Sequence, residues 1–379
     1  MKIMICAGES SGDMYAAALV RALRPLVGQD VEFFGIGGDA MRAEGVELFA
    51  HVSQTGVIGF VEVARRFRFF SRLLRTLRGL LDTRRPDLLV TVDYPGMNLR
   101  LAAAAKARGV PAVHWVCPQV WAWRRGRIPK IAASLDRLMC FFPFEPALFE
   151  GTGLETVFTG HPLVEQIEDF AAAVPSMPPL PWGPGRRIAL MCGSRPGEVR
   201  RLLPDILAGA AMAEDSLGEC SFLLPAPDDV RAAQLRAAMK AVPRLPRRVE
   251  VVAGRSRQTM REAEAGIVKS GTSTLEAALL GMPHSLAYRV APSTYAVMRR
   301  LLTGVKWIGL PNIVAGESVV PERIQGDLSP QSVRDDLVAL CTDRARREAQ
   351  LAAFARIRQA LGGRGATARA AAVCAAAVR

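Results

Sequence analysis

The stretch GIVKSGTSTLEAALLGMP, residues 266–283, decides how the second half of the chain folds. Its apolar start, residues 266–268, predicts a buried strand, and the apolar-periodic segment from Leu275 to Gly281 predicts a helix. The KSGTST sequence of residues 269–274 then forms a tight loop between them. Such a loop presents free backbone N–H groups at the positive end of the helix dipole, which suits a bound phosphate. An ordinary capped helix of an α/β domain is the competing interpretation.

The side chains of this loop favour an anionic ligand that carries a sugar. Lys269 supplies a cation, and Glu276, one turn into the helix, is placed to accept hydrogen bonds from sugar hydroxyls. The loop residues that we expect to line the site are Ser270, Gly271, Thr272, Ser273 and Thr274.

Length and charge limit the classes of protein to consider. The chain has 379 residues, enough for two domains of ordinary size, and half of them are apolar. Its formal net charge is +13, so its surface attracts nucleic acid, anionic lipid or phosphorylated metabolites. Aromatic residues make up only 6% of the chain, and neither an RNA-stacking motif nor a zinc-finger spacing occurs. We therefore expect no nucleic-acid partner.

The seven cysteines and four histidines are dispersed, and no CxxC pair occurs. This distribution predicts small buried cysteines in a reducing compartment and no metal site. No uncharged apolar run reaches the ~18 residues of a membrane-spanning helix. We expect a protein that is soluble or lies on a membrane surface.

The first half of the chain opens with an apolar strand at residues 2–7, a GESSGD turn at 8–13 and a helix at 14–23. This order predicts a doubly wound α/β domain. The turn has GxxxG spacing where a dinucleotide site has GxGxxG. Gly37 and Gly38 also stand where a dinucleotide fold places an acidic ribose ligand, so NAD binding is disfavoured.

Two strands of this half are followed by carboxylates. Asp93 follows the fully apolar strand 88–92, and the carboxyl ends of central strands face the ligand crevice of such sheets. Asp93 is therefore a candidate general base for an acceptor hydroxyl, with a cap of helix 98–108 as the alternative. Glu9 follows the first strand and either faces a substrate or, like Asp13, caps a helix start.

The stretch 56–81 alternates arginines with large apolar residues, which is typical of a basic amphipathic helix on an anionic membrane. A helix packed on the sheet with a solvated cationic back is the alternative. We favour membrane contact because we expect the aromatic side chains to be exposed. The contact residues would be Arg65, Phe67, Arg68, Phe69, Phe70 and Arg72.

Residues 174–185 contain five prolines, too many for a helix or a central strand, and predict an interdomain connection. The predicted domains are therefore 1–173 and 186–330, followed by C-terminal helices at 331–379. The second domain begins with a strand and a glycine-containing turn in which Arg195 is placed to meet a diphosphate or a nucleotide.

Nine motifs carry a specific resemblance. They are AGESSGD at 7–13, GIGG at 35–38, VDYPGMNLRLA around Asp93, PQVWAWRRGRIPKIA from Pro118, FPFE at 142–145, GHPL at 160–163, GSRPGEVRRLLP from Gly193, SGTSTLEAALLGMP from Ser270 and LPNIVAGESVVPE from Leu310. In this order they resemble the lipid-A-disaccharide synthases, which are inverting, metal-independent glycosyltransferases. The resemblance implies a GT-B fold, in which two Rossmann-like α/β domains face each other across a cleft.

The resemblance also implies a reaction and its participants. A 2,3-diacylglucosamine unit passes from its UDP donor to the 6-hydroxyl of 2,3-diacylglucosamine 1-phosphate (lipid X), giving a β-1,6 disaccharide and UDP. It implies catalytic roles for Asp93 and Glu9, and neither a metal nor a cofactor. The substrate-binding residues it implies are Gly193, Ser194, Arg195, Ser270, Gly271, Thr272, Ser273, Thr274, Glu276 and Asn312.

The implied location is cytoplasmic, on the inner face of the inner membrane, with a homodimer formed by exchanged C-terminal segments as one option. Two positions depart from the family pattern: Cys192 replaces a proline before the GSR motif, and Gly326 stands where an acidic residue is common. Two other interpretations remain open. One is a different GT-B-fold UDP-sugar enzyme, such as a muramyl-type transferase or an epimerase, and the other is an inactive peripheral membrane-binding protein.

Overall fold

The computed structural model describes residues 1–55, 67–301 and 304–378, without the side chains of Thr55, Phe67 and Leu301. Within these ranges the chain divides into two compact units. Residues 1–162 and 361–379 form the first unit, and residues 163–360 form the second.

The first unit is built on a parallel seven-stranded sheet of order β3-β2-β1-β4-β5-β6-β7. Its strands are β1 (Lys2–Ala7), β2 (Glu32–Gly37), β3 (Glu47–His51), β4 (Leu88–Val92), β5 (Ala112–Trp115), β6 (Arg137–Cys140) and β7 (Glu155–Phe158). Its described α-helices are α1 (Ser10–Val27), α2 (Asp39–Ala43), α3 (Val52–Thr55), α4 (Phe67–Arg84), α5 (Pro95–Lys106), α6 (Ile128–Ser134) and the C-terminal helix Ala366–Ala375. The central strands β1 and β4 are almost wholly buried, as expected for a parallel sheet covered by helices.

The second unit carries a parallel six-stranded sheet of order β10-β9-β8-β11-β12-β13. Its strands are β8 (Arg186–Met191), β9 (Cys220–Ala226), β10 (Val249–Ala253), β11 (Ala265–Lys269), β12 (His284–Tyr288) and β13 (Glu322–Ile324). Its described α-helices are α7 (Leu163–Ala173), α8 (Pro196–Leu217), α9 (Asp229–Met239), α10 (Ser256–Glu262), α11 (Thr272–Leu279), α12 (Pro292–Leu301), α13 (Leu310–Ala315), α14 (Pro330–Thr342) and α15 (Arg344–Ala360). The C-terminal helix of the first unit is therefore α16 in chain order.

These two sheets confirm the prediction of two Rossmann-like α/β domains with a helical C-terminal end. The proline-rich residues 174–185 belong to the second unit, where Leu180 packs against Leu223 and Val252 of its sheet. The segment Leu310–Ala315, which begins the LPNIVAGESVVPE motif, forms α13 with a proline in its first turn.

Asp13 links the first two loops of the first unit. Its side chain is 6% exposed and accepts hydrogen bonds from the amides of Gly38 at 2.6 Å, Ala40 at 3.1 Å and Met41 at 3.1 Å. Asp13 therefore caps α2. The sequence had suggested that it caps the start of α1. A Cβ on Gly38 would lie 2.6 Å from the Asp13 carboxylate, which explains the glycine at this position.

The C-terminal residues 361–378 pack on the first unit, with α16 against α1. Three hydrogen bonds fix them. The Leu361 carbonyl accepts from the His161 amide at 3.0 Å, Arg369 donates to the Thr159 carbonyl at 2.7 Å, and Arg137 donates to the Val373 carbonyl at 2.9 Å.

Helix α4 covers the described part of the basic amphipathic stretch. Leu73, Leu77 and Leu81 are buried in the core of the first unit. Phe69 and Phe70 are half-buried, with ring centroids 5.3 Å apart, so the expectation that they are exposed was wrong. Residues 56–66, which include Arg65, lie outside the described residues. The outward face contains Arg68, Arg72, Arg75 and Arg78, all of them exposed.

Among the described residues, none of the helices combines the length and the apolar character that crossing a bilayer requires.

Substitution Asp13→Ala tests the link between the two loops. It leaves three backbone amides without their acceptor, so we expect the free energy of unfolding to fall by about 3 kcal/mol. Urea denaturation followed by circular dichroism measures this change. The control is Asp39→Ala, since Asp39 is exposed and its pair with Arg42 lies in solvent, where such pairs contribute little. Equal losses for the two variants would contradict the proposed link.

Candidate active site

The carboxyl ends of β1 and β4 meet at one edge of the first sheet. Ala7 pairs with Val92 in the last register position of these strands, so Glu9 and Asp93 leave the sheet at the same edge. Glu9 precedes α1 and is half-buried. Burial raises the pKa of Tyr94, and the negative charge of Glu9 adds to that shift. The structure therefore brings the two predicted catalytic carboxylates to one edge of the sheet.

The backbone at Asp93 is held in an unusual conformation. Asp93 and Tyr94 have φ angles of +51° and +49°, in the left-handed region that non-glycine residues seldom adopt. The Asp93 amide donates to the Trp115 carbonyl at 2.9 Å, and the Asp93 carbonyl accepts from Asn98 Nδ2 at 2.7 Å. Such conformations persist where surrounding contacts hold them, and they cluster at functional sites.

Asp93 lines a cavity of about 320 Å³ at this edge of the sheet. Burial raises the pKa of its carboxyl above the ordinary value, while a hydrogen bond from the Tyr94 amide partly opposes the shift. A carboxylate with a raised pKa takes up a proton more readily near neutral pH, which suits a general base. The polar and aromatic residues that share the cavity with it are Gln119, Trp123, Arg127, Phe141, Phe142 and Glu145.

Glu145 is a buried acid of this cavity that the sequence analysis did not single out. It accepts hydrogen bonds from the indole of Trp121 at 3.2 Å and from the amides of Phe141 at 3.1 Å and Phe142 at 3.0 Å. Burial raises its pKa to about 7. Through Trp121 it ties together two loops that line the cavity. The FPFE motif was the only sequence signal for it.

The fold brings two of the dispersed cysteines together beside Glu145. One ligand atom of Cys117, of Cys140 and of Glu145 lies within 4.8 Å of each of the others. Hydrogen bonding with Cys140 and burial raise the pKa of the Cys117 thiol. Both oxygens of Glu145 already accept hydrogen bonds from Trp121, Phe141 and Phe142, so this cluster fits a packed interior better than a metal site.

The second candidate cavity, of about 310 Å³, lies at the carboxyl edge of the second sheet. It contains most of the residues predicted around the loop that precedes α11. The residues from that prediction that line it are Gly193, Ser194, Lys269, Ser270, Gly271, Thr272, Ser273 and Glu276. Thr274 does not join them, because it is buried and its hydroxyl donates to the Gly271 carbonyl at 2.8 Å.

Glu198 pairs with two cations around this cavity and was missed from the sequence. Its carboxylate lies 3.0 Å from Lys269 Nζ and 3.5 Å from an Arg195 guanidinium nitrogen. Arg195 itself is exposed at the start of α8 and lies outside the cavity lining. Gly193 has a φ of +96°, and a Cβ there would lie 2.6 Å from Glu198, so the turn requires glycine.

Glu276 connects this cavity to a smaller one of about 220 Å³, since it lines both. One of its oxygens accepts from Arg257 Nε at 2.9 Å, and Arg257 also donates to Gln166 at 3.1 Å. The smaller cavity includes Phe170 among its lining residues. The anion-binding loop therefore lies on one side of the Glu276 carboxylate, and a recess that includes an aromatic side chain lies on the other.

Asn312 does not lie open to a ligand. It is fully buried, and both ends of its amide are used inside the protein. Its Nδ2 donates to the Val320 carbonyl at 2.8 Å and to Glu322 at 2.9 Å, and its Oδ1 accepts from the amides of Val319 and Val320 at 2.8 Å. The structure thus gives Asn312 the role of fixing the 310–322 segment, in place of the substrate contact expected from the sequence.

Comparison with known proteins connects these sites to a family. The family model described as lipid-A-disaccharide synthetase matches residues 3–376. The chain is 39% identical over 376 residues to a lipid-A-disaccharide synthase of Geobacter metallireducens, covering 98% of this chain and 96% of that protein. It is also 39% identical to one of Anaeromyxobacter dehalogenans, covering 96% and 94%. The chain belongs to the lipid-A-disaccharide synthetase family.

Solved structures agree on the fold. A glycotransferase of kitacinnamycin superposes with a TM-score of 0.64 at 16% identity, covering all of this chain and 99% of the other. At this identity the likeness shows the fold alone, which is the GT-B type of glycosyltransferases, as predicted.

The two departures from the family pattern have simple settings. Cys192 is buried at the end of β8, and burial raises its pKa to about 12, so it acts as a small apolar residue. A Cβ at Gly326 would meet nothing within 4 Å, so the backbone there does not require glycine.

Substitution Asp93→Asn tests how much the partly buried carboxylate destabilises the fold. Since the pKa of Asp93 is higher in the folded than in the unfolded chain, the carboxylate destabilises the fold above the folded pKa, and this effect vanishes below the unfolded pKa. We expect the variant to melt roughly 2 °C higher than the parent at pH 8, and the difference to disappear towards pH 3. Calorimetry across this pH range measures it.

The control for this pH dependence is Asp82→Asn, for which we expect a change in melting temperature of the opposite sign. A hydrogen bond from Arg108 lowers the pKa of the exposed Asp82. Its carboxylate therefore stabilises the fold above the unfolded pKa, and Asp82→Asn should lower the melting temperature at pH 8. If Asp93→Asn lowered the melting temperature at pH 8 as Asp82→Asn does, the raised pKa of Asp93 would be refuted.

Proposed function

We propose that this protein condenses UDP-2,3-diacylglucosamine with 2,3-diacylglucosamine 1-phosphate to give lipid A disaccharide 1-phosphate and UDP. The observation that carries this proposal is membership of the family over nearly the whole chain, at 39% identity to proteins named lipid-A-disaccharide synthase. The presence of an anion-binding loop on one unit and of the half-buried Asp93 carboxylate on the other supports it.

In the proposed reaction, Asp93 acts as the general base. As the 6-oxygen of the acceptor attacks the anomeric carbon of the donor, its proton passes to the Asp93 carboxylate and the bond from that carbon to the diphosphate oxygen breaks. Attack from the face opposite the leaving group inverts the anomeric centre. The raised pKa of Asp93 supports this role, since proton transfer is most efficient when the pKa of the base lies near the working pH. Glu9, at the same sheet edge, is proposed to assist through Tyr94.

The leaving UDP is proposed to bind beside α11. The amides of Gly271, Thr272 and Ser273 lie at the first turn of this helix, where backbone N–H groups lack partners within the helix. Together with Lys269 they supply the fixed dipoles and charge that stabilise a departing diphosphate, work that other transferases give to a divalent ion. Glu276 is proposed to bind the ribose hydroxyls, with the uracil in the adjoining recess. Arg195, exposed at the rim, would reach the diphosphate by a change of rotamer.

The diacyl substrates reside in a membrane, so we propose peripheral association with the inner face of the inner membrane. The exposed arginines of α4, among them Arg68 and Arg72, are suited to anionic headgroups. The half-buried Phe69 and Phe70 would contribute only their exposed edges. The proposal also includes Arg65 and the side chain of Phe67, which lie outside the described part of the chain. A homodimer is a further possibility of this proposal, and analytical ultracentrifugation tests it.

Loss of the proposed base should abolish turnover without abolishing donor binding. We expect Asp93→Asn to lower kcat by about 10³-fold, the usual contribution of a positioned base. Release of UDP and mass-spectrometric detection of the disaccharide measure it. The UDP-induced thermal shift should stay unchanged, because Asp93 lies in the other unit. Asp82→Asn is the control because it makes the same substitution outside the cavity lining and should leave turnover of the folded protein unchanged. Unchanged turnover in Asp93→Asn would remove Asp93 from its role.

Arg127 is proposed to bind the phosphate of the acceptor. It is the arginine among the residues lining the cavity of Asp93, it is half-buried, and a guanidinium forms strong charge-assisted bonds with phosphate. We expect Arg127→Gln to raise the KM for 2,3-diacylglucosamine 1-phosphate about tenfold or more, a loss typical of one such bond. Turnover of the acceptor without phosphate should change little.

The control for Arg127 is Arg125→Gln, two residues away, because Arg125 is exposed and lies outside the cavity lining. It removes the same charge from the same segment. A similar increase in KM in both variants would indicate general electrostatic attraction and would refute a specific phosphate contact at Arg127.

A further inference from the structure

A fourth cavity, of about 430 Å³, lies between α8 and α9 in the second unit. Its walls are mostly aliphatic, although it opens at the protein surface. Along α8 they are formed by Val199 and Leu203, and along and just beyond α9 by Leu235, Ala238 and Val242. The proposed reaction, as described so far, assigns no ligand to this space.

The cavity adjoins the anion-binding cavity beside α11. Gly193, Ser194 and Pro227 line both of them. These residues follow β8 and β9, so the aliphatic space begins at the carboxyl edge of the sheet and runs away from that edge between the two helices. A ligand whose diphosphate lies beside Ser194 therefore has an apolar channel within reach of the group attached to it.

We propose that this channel holds one acyl chain of the sugar donor. The inference rests on the proposed function, which gives the donor two such chains next to its diphosphate. An acyl chain is long, narrow and wholly apolar, which matches a channel walled by aliphatic side chains. Each methylene moved from water into such surroundings improves affinity about fourfold, so the length of the channel sets the preferred chain length of the donor.

The channel is lined by polar as well as aliphatic side chains. Arg231 and Gln234 lie on α9, and their side chains are joined by a hydrogen bond of 2.7 Å. Arg200, which also lines the cavity, is exposed, and Arg231 is half-buried, so an acyl chain would pack along the aliphatic stems of these two arginines. The aliphatic walls disfavour a charged occupant, because burial of its charge against them is costly.

The test fills the channel and varies the donor. Ala238 is half-buried in the wall, and Ala238→Phe places a ring in the space. With the full-length protein, we expect kcat/KM for a dimyristoyl donor to fall about tenfold or more, which is the loss of a few buried methylenes. The value for the diacetyl donor and the UDP-induced thermal shift should stay within twofold of the parent.

Two further variants keep the test decisive. Ala237→Phe adds the same ring to the exposed side of α9, outside the channel lining, and should leave both donors unaffected. If Ala238→Phe does not fold, Ala241→Phe replaces it, because Ala241 lines the channel and is exposed. Equal losses for both donors, or no loss for either, would overturn the proposal. Failure of the parent protein to form a disaccharide would instead overturn the proposed function.

Discussion

The carboxamide of Asn98 is the contact on which the first unit's site depends. Fully buried, it places Nδ2 within hydrogen-bonding distance of three carbonyls, those of Cys6, Val92 and Asp93. These carbonyls end two neighbouring strands, so one amide group holds both strand ends and the left-handed turn at Asp93. Buried carbonyl groups need hydrogen-bond donors, and in this position the Asn98 amide supplies one. Another backbone conformation would lose these bonds. The orientation of the Asp93 carboxylate follows from this arrangement.

Most of the fold could be predicted from the sequence because its strands are short apolar runs separated by glycine-containing turns. The prediction placed β1 and β4 at their observed bounds, 2–7 and 88–92. It missed β3, in which Leu48, Phe49 and Ala50 stand between two polar residues and none of the five is fully buried, and the three-residue strand β13, which contains Glu322 and Arg323. Strands at sheet edges carry polar residues because they are solvated, so the apolar signal fails there.

The candidate site was predictable at the level of loops and less so at the level of single side chains. Sequence motifs identified the segments around Asp93 and Ser270 because turn residues and strand ends leave a local signal. The direction in which a side chain points leaves no such local signal in the sequence. Thr274 and Asn312 have the same chemistry as ligand-binding residues, yet both are turned inward to satisfy backbone groups. Glu145 shows the reverse case: it was not singled out from the sequence, yet it lines the cavity. Its position there depends on a hydrogen bond from Trp121, which lies in a loop distant in sequence.

The charged side chains around the anion-binding loop lie in ion pairs, so that each positive charge is balanced by a neighbouring carboxylate. Lys269 is paired with Glu198 at 3.0 Å and Arg257 with Glu276 at 2.9 Å. An entering diphosphate must compete with Glu198 for Lys269. The free energy needed to break this existing ion pair reduces the gain from binding the diphosphate to the lysine. The backbone amides of the loop carry no such competitor, since they belong to the first turn of α11. Anion binding here should therefore depend on those amides more than on the lysine, and the channel beside Ser194 can add affinity that costs no ion pair.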